Sequence, residues 1–330
     1  MKRKIIKQGH NTLTITLPKS WCKKHHVKAG EELDFIEQGE SLVVSPERNL
    51  TLPEITIDVR GLTSKIIWRY VSSVYRAGYD EFKLVFDNLD NKQRYSALSY
   101  NTLNFLYSDE KDKGPVLSPI EVIQLMVNRC IGVEIIDQKS KSCTIKELGR
   151  TTPQEFDNAL RRIFLLLISL AEEVSSSVKK GNAQENLKSV HLIDTNIDRF
   201  IDFCIRVLNK KGYKDFRKTP TMHTILFLLE LIGDEYKKIA IHLIEAKKMG
   251  SKMTELFDIQ ENQLKKYYKL FYKFNKEACL DMYEFDIMGH TYNREVYESL
   301  SSDEKEILHH LKKIGIYLMS LAELRVDLEY

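Results

Sequence analysis

The sequence predicts an α+β multidomain protein: a small β domain over residues 1–48, an α+β segment over 49–150 and an all-helical bundle over 151–330. Three observations carry that division. Apolar residues alternate with threonine in Thr12-Leu13-Thr14-Ile15-Thr16-Leu17, the period of a strand with one buried face. Short strand and helix patterns alternate from Ile55 to about Gly149. Beyond Thr152 apolar residues recur at three- and four-residue spacing, as in Ile193, Ile197, Phe200, Cys204 and Leu208. At 330 residues the chain is long enough for two or three separate cores.

In the first part, Pro18 ends the strand and Pro18–Cys22 forms one short helix. Gly30 turns the chain into Leu33–Ile36, Gly39 marks a hairpin tip before Ser41–Val44, and Pro46 closes the unit. Fewer than 50 residues without disulfide or metal make a poor monomer, so pairing with a second copy is expected. In the second part, Ile55–Val59 and Glu81–Phe86 read as strands around a helix at Ser64–Arg76, with Gly78 as its C-cap. After a polar stretch at Asp109–Pro115, Pro119–Asn128 reads as a helix, and Ile131–Asp137 and Cys143–Ile145 as paired strands. A small sheet with helices on one face follows.

The third part reads as helices over Thr152–Lys180, Asn186–Lys210, Pro220–Met249, Met253–Phe285 and Asn293–Glu329. Thr152-Pro153 supplies a cap and a proline at the first helical position. Gly181, Gly212 and Gly250 follow lysine-rich ends, where cations suit the negative pole. Ile232-Gly233 with Ile239-Ala240 is echoed by Ile314-Gly315 with Leu321-Ala322, an internal repeat that fits two three-helix units. A glycine in the middle of a helix marks close packing.

The net charge of +3 names no partner, but its distribution does more. From Met1 to Ala29 the chain carries Lys2, Arg3, Lys4, Lys7, Lys19, Lys23, Lys24 and Lys28 with no acid; the acids begin at Glu31. Such a stretch makes an electrostatic footprint for a phosphate backbone or, alternatively, a solvated lysine surface. Cys22, Cys130, Cys143, Cys204 and Cys279 are scattered without a CxxC pair, which argues against a disulfide framework and a structural zinc, and fits a cytoplasmic location. The apolar runs at Ile163–Ala171 and Ile225–Leu229 fall short of the ~20 residues of a membrane span, and the amino end has no signal-peptide pattern, so no membrane insertion is expected.

Lys7-Gln8-Gly9-His10-Asn11-Thr12, the alternating strand and Leu17-Pro18-Lys19 resemble the AbrB/MazE family of swapped-hairpin DNA-binding domains over about residues 3–47. The resemblance implies a homodimer of interlocked hairpins, with Arg3, Lys4, Lys7, His10, Asn11, Lys19 and Lys23 facing DNA. Thr14 and Thr16 depart from family members that place an arginine on this strand. Phosphate contacts alone position a protein without specifying sequence.

Asp194 with Asp198, and Glu230 with Asp234, lie four residues apart, which stacks each pair on one helix face. Converging carboxylates repel unless a cation relieves them. That cation is either a metal such as Fe, Mg, Mn or Zn, or a side chain such as Lys237 or Lys238. Asp202 extends the first stripe, as a solvated face would. Glu230-Leu231-Ile232-Gly233-Asp234 followed by Ile239-Ala240, with Asp194-Thr195-Asn196-Ile197-Asp198, resembles the acidic motifs of the PhoU family of phosphate-uptake regulators. That resemblance implies metal at these four acids. The equivalent positions of the second repeat, Lys312 and Ile316, argue against a second cluster.

Tyr75-Arg76-Ala77-Gly78-Tyr79-Asp80 and Ile131–Ile136 resemble the joining stretch of archaeal AbrB–PhoU fusion proteins. Together these features imply a phosphate-linked regulator of transcription or signalling. The alternative is an adaptor that inhibits a phosphate transporter or sensor without touching DNA. A ferritin-like metalloenzyme requires Glu-x-x-His pairs. Neither Glu230 nor Asp234 has a histidine three residues on, and His309-His310 read as a solvated surface pair, so no enzyme is expected.

Overall fold

The computed structural model describes residues 2–38, 41–46, 54–87, 93–94, 116–149, 153–180, 188–245, 249–284 and 294–330. These fall into two compact units, Met1–Thr51 and Leu52–Tyr330. The expected hairpin tip at Gly39, the polar stretch at Asp109–Pro115 and Gly181 lie outside the described residues.

The first unit holds β1 (Ile5–Gln8), β2 (Thr12–Ile15), α1 (Lys19–Lys24), β3 (Leu33–Gln38) and β4 (Ser41–Pro46). β1 and β2 form one antiparallel hairpin, with Ile5 opposite Ile15. β3 and β4 form another, with Leu33 opposite Pro46. The two hairpins are separate two-stranded sheets, each marginal alone in water.

The second unit begins with β5 (Ile55–Asp58), α2 (Ser64–Ala77), β6 (Glu81–Val85), the two-residue strands β7 (Gln93–Arg94) and β8 (Val116–Leu117), α3 (Pro119–Val127), β9 (Val133–Lys139) and β10 (Ser142–Glu147). Its main sheet runs β5-β6-β10-β9. β5 and β6 are parallel because the connection between them crosses over through α2. Ile57, Phe82, Leu84, Cys143 and Ile145 from the sheet are buried with Ile67, Val71, Tyr75 and Ile123 from α2 and α3. Gly78 caps α2 at φ 94°, a left-handed conformation costly to any residue with a Cβ. A Cβ there would also stand 2.5 Å from Lys210 Cγ, so this turn is pressed against the helices.

Those helices are α4 (Pro153–Lys180), α5 (Lys188–Lys211), α6 (Thr219–Glu245), α7 (Ser251–Tyr272), α8 (Lys276–Glu284), α9 (Arg294–Ser299) and α10 (Ser302–Asp327). α4, α5 and α6 pack on one another, as do α7, α8 and α10, while α4 on α7 and α6 on α10 join the groups. The two mid-helix glycines do not mark unusually close packing, since a Cβ at either would make only ordinary contacts. A Cβ on Gly233 would lie 3.6 Å from Leu167 of α4 and Asp194 of α5; one on Gly315 would lie 3.9 Å from Gln260 of α7.

Two of the long expected helices are interrupted. α7 ends at Tyr272, and α8 starts after Asn275, whose Oδ1 accepts the Glu277 and Ala278 N–H groups. A capping box of Ser301 and Glu304 starts α10 anew. Gly250 proves to be the N-cap of α7, its N–H donated to Glu304 at 2.8 Å. The α+β segment is packed on α5 through α2, so residues 52–330 share one compact unit. Among the described residues no helix is long and apolar enough to cross a membrane.

Candidate functional site

In the first unit Arg3, Lys4, Lys7, His10, Asn11, Lys19 and Lys23 are all exposed. So are the apolar residues. Ile5 is 66% exposed and Leu13 69%, with Ile6, Ile15, Phe35 and Leu42 all above half. None of the described side chains in this unit is buried. This apolar patch lies beside the acid-free run of lysines. The Thr14 hydroxyl, on the strand that lacks arginine, donates to Ile6 O across the hairpin at 3.2 Å.

In the second unit the acidic stripe of α5 becomes a charge ladder. Asp194, Asp198, Asp202, Arg206 and Lys210 follow at four-residue spacing on one face. Each rung meets an opposite charge from another element. Lys237 of α6 stands 2.7 Å from Asp194, Arg129 after α3 stands 2.9 Å from Asp198, and Arg76 of α2 stands 3.1 Å from Asp202. The ladder then changes sign and so does its complement. Arg206 stands 2.9 Å from Glu147, and Lys210 bonds both Asp80 and Glu147. Arg206 is 1% exposed, donates to the carbonyls of Tyr75 at 2.7 Å and Tyr79 at 2.9 Å, and lies over the Tyr75 ring. Arg129 lies 4.3 Å above Trp68, which holds the planar cation in place for Asp198.

Burial sets the protonation of this seam. It raises the carboxyls of Asp194, Asp202 and Glu230 above the usual range, against the pull of Lys237 on the first and of Arg76 on the other two. Burial and then the neighbouring Asp194 push Asp198 up to about 8, with Arg129 and Lys237 opposing. Lys237 is raised despite its burial, by Asp194 and Asp234. At the other end burial works against Lys210 and Arg206, which hold Glu147 at about 2.

This arrangement does not fit the metal expected at Asp194, Asp198, Glu230 and Asp234. Lys237 Nζ lies 2.7 Å from both Asp194 and Asp234, and Arg129 occupies Asp198. A hard cation there would share its surroundings with the Lys237 ammonium. Among the described residues no group of three or more His, Cys, Asp or Glu is gathered to hold a metal ion. Asp202, read as part of a solvated face, is instead ion-paired. His309 is exposed, but His310 is buried with its Nδ1 2.5 Å from Glu235 and its ring stacked on His242.

Sequence reasoning missed Arg76, Arg129, Arg206 and Lys210. For the last two a signal existed, since they continue the four-residue spacing begun by Asp194.

A model of the MazE antitoxin family, described as "Antidote-toxin recognition MazE, bacterial antitoxin", matches residues 6–51. No curated protein matches the chain. Among solved structures, the phosphate transport system regulatory protein PhoU from Streptococcus pneumoniae is similar at 16% identity and a TM-score of 0.44, over 54% of this chain and 94% of that one. The chain therefore carries a MazE/AbrB-like segment at its amino end.

Proposed function

We propose that this chain is a phosphate-linked regulator whose amino-terminal unit works as a homodimer on DNA, while its helical unit receives the signal. One observation carries the reading: both hairpins expose apolar side chains beside a cationic stretch without a single acid. A second copy that covers Ile5, Leu13 and Ile15 turns two marginal sheets into one core and doubles the positive face. That face is matched to a phosphate backbone by charge, not by base-reading geometry. The word phosphate comes from the acidic motifs of α5 and α6 and their resemblance to PhoU. A transporter or sensor protein is the matching partner for the helical unit, and the cytoplasm the matching compartment.

The adaptor reading has its own support. Thr14 and Thr16 stand where DNA-reading relatives use arginine, and the Thr14 hydroxyl is engaged within the hairpin. Salt separates the two. Binding of promoter duplexes by the full chain should weaken steeply as salt rises, and Lys7→Ala or Lys19→Ala should each lower the log–log slope by about 1. No duplex binding at low salt rejects the DNA reading and leaves the adaptor.

A further inference from the structure

α4 and α7 run antiparallel, Arg161 meeting Tyr272 at one end and Lys179 meeting Asp258 at the other. The groove between them changes character along its length. Toward the start of α7 its charges are paired across the helices. Lys265 stands 2.6 Å from Glu172 and 2.7 Å from Glu261, and Lys179 stands 2.5 Å from Asp258. Toward the end of α7 that pairing stops. Arg161 and Leu165 of α4, with Lys269, Tyr272 and the C-cap Lys273 of α7, are exposed, and Tyr268 is half-buried beside them. Between Glu261 and Glu277 the sequence has five lysines and no acid. The acid one turn before Arg161, Asp157, is held by Lys214 at 2.7 Å. Among the described residues Arg161, Lys269 and Lys273 form no ion pair.

This end of the groove is also apolar. Leu165 is 43% exposed and Tyr272 46%. Phe164 supports both tyrosine rings, 5.6 Å from Tyr268 and 5.9 Å from Tyr272, and Arg161 lies 6.0 Å over the Tyr272 ring. The rings are thus held in place before anything lands on them. Lysines in the last turn of a helix complement its negative pole. That does not account for Arg161, which sits roughly two turns into the neighbouring helix. Fixed tyrosines and a leucine flanked by uncompensated cations match an anionic polypeptide, since tyrosine and arginine anchor protein interfaces. A nucleic acid fits less well. Tyr268 and Tyr272 meet edge to face at 66°, so they offer no parallel platforms for successive bases.

We propose that this groove docks an acidic amphipathic segment of a partner protein. Its apolar side chains would lie on Leu165, Tyr268 and Tyr272, and its carboxylates on Arg161, Lys269 and Lys273. Lys269 and Lys273 are four residues apart, about 6 Å along the axis, which is also the spacing of carboxylates at i and i+4 of a bound helix. The inference deepens the reading of the helical unit as the one that takes a protein partner, and does not depend on DNA binding by the first unit.

A fluorescent peptide with a Leu/Phe stripe flanked by glutamates tests it by anisotropy on the full chain. Its controls carry lysine for glutamate, or a scrambled order that breaks the stripe. The acidic peptide should bind saturably and weaken as salt rises, the scramble should bind roughly tenfold more weakly, and the lysine peptide should not bind. Lys269→Gln/Lys273→Gln should lower the affinity roughly tenfold and Arg161→Gln roughly threefold. Lys7→Ala, in the first unit, should leave it unchanged, which separates this face from the DNA titration. If the double variant fails to fold, Arg161→Gln decides alone. The docking face is overturned by absence of saturable binding, by equal binding of either control peptide, or by an affinity indifferent to these variants. Oligothymidylate binding that is lost in Lys269→Gln/Lys273→Gln, with no binding of the acidic peptide, overturns it in favour of nucleic acid.

Discussion

The two units solve opposite problems. The amino-terminal unit leaves apolar side chains in water, Leu13 being 69% exposed, while the larger unit takes charged ones out of it, Arg206 being 1% exposed. An exposed apolar strand calls for a partner from outside the unit. A buried charge is tolerated only with its partner already at hand. Under the proposed function a second copy completes the first unit, whereas the α5 ladder finds its counter-charges within the chain. The cations found beside the acids expected to hold a metal, Lys237 and Arg129, belong to the second kind.

Breaking the ladder at its most buried rung should cost most. Arg206→Ala removes two carbonyl bonds and the Glu147 pair, and should destabilise the second unit by about 3–5 kcal/mol in denaturant unfolding at neutral pH. Arg206→Lys should not restore it, since one ammonium cannot span the three acceptors of a planar fork.

A medium effect tests the acidic rungs. An Asp198 raised to about 8 in the folded chain keeps a proton that the unfolded chain, with an ordinary carboxyl near 4, has already lost. The folded state then binds more protons across that window, so stability should fall as pH rises from about 4 to 8. Melting temperatures of the wild type should show that slope, and Asp198→Asn should flatten it. An unchanged slope in the variant would remove Asp198 as the source.

The smallest effect comes from a pair outside the seam. Lys214 stands 2.7 Å from Asp157 with side chains 59% and 44% exposed. Its removal by Lys214→Ala should change unfolding by about 0.5 kcal/mol or less, in contrast to Arg206.

Local signals were legible in the sequence, and distant partners were not. Gly78 was readable as a helix cap and Pro153 as a helix start, because each depends on its own backbone or its own helix. Ser301-Ser302-Asp303-Glu304 carries a capping pattern, but uninterrupted apolar periodicity on either side masked the break. The four acids were readable as a stacked problem in electrostatics, and Lys237 as one answer. Arg76 and Arg129 were invisible for a physical reason. They arrive from an α2 and a post-α3 turn more than sixty residues away from their acids, where no helical spacing links them. The Glu235–His310 pair, 75 residues apart, escaped for the same reason.

The decisive measurement is the melting temperature of the full chain in a chelator and in millimolar manganese, taken beside Asp194→Asn/Asp234→Asn. With Lys237 already bridging both carboxylates, the wild type should melt at the same temperature in either buffer. A manganese-dependent rise in the wild type that vanishes in the double variant would mean that a metal, not the ammonium, holds this face of α5 together.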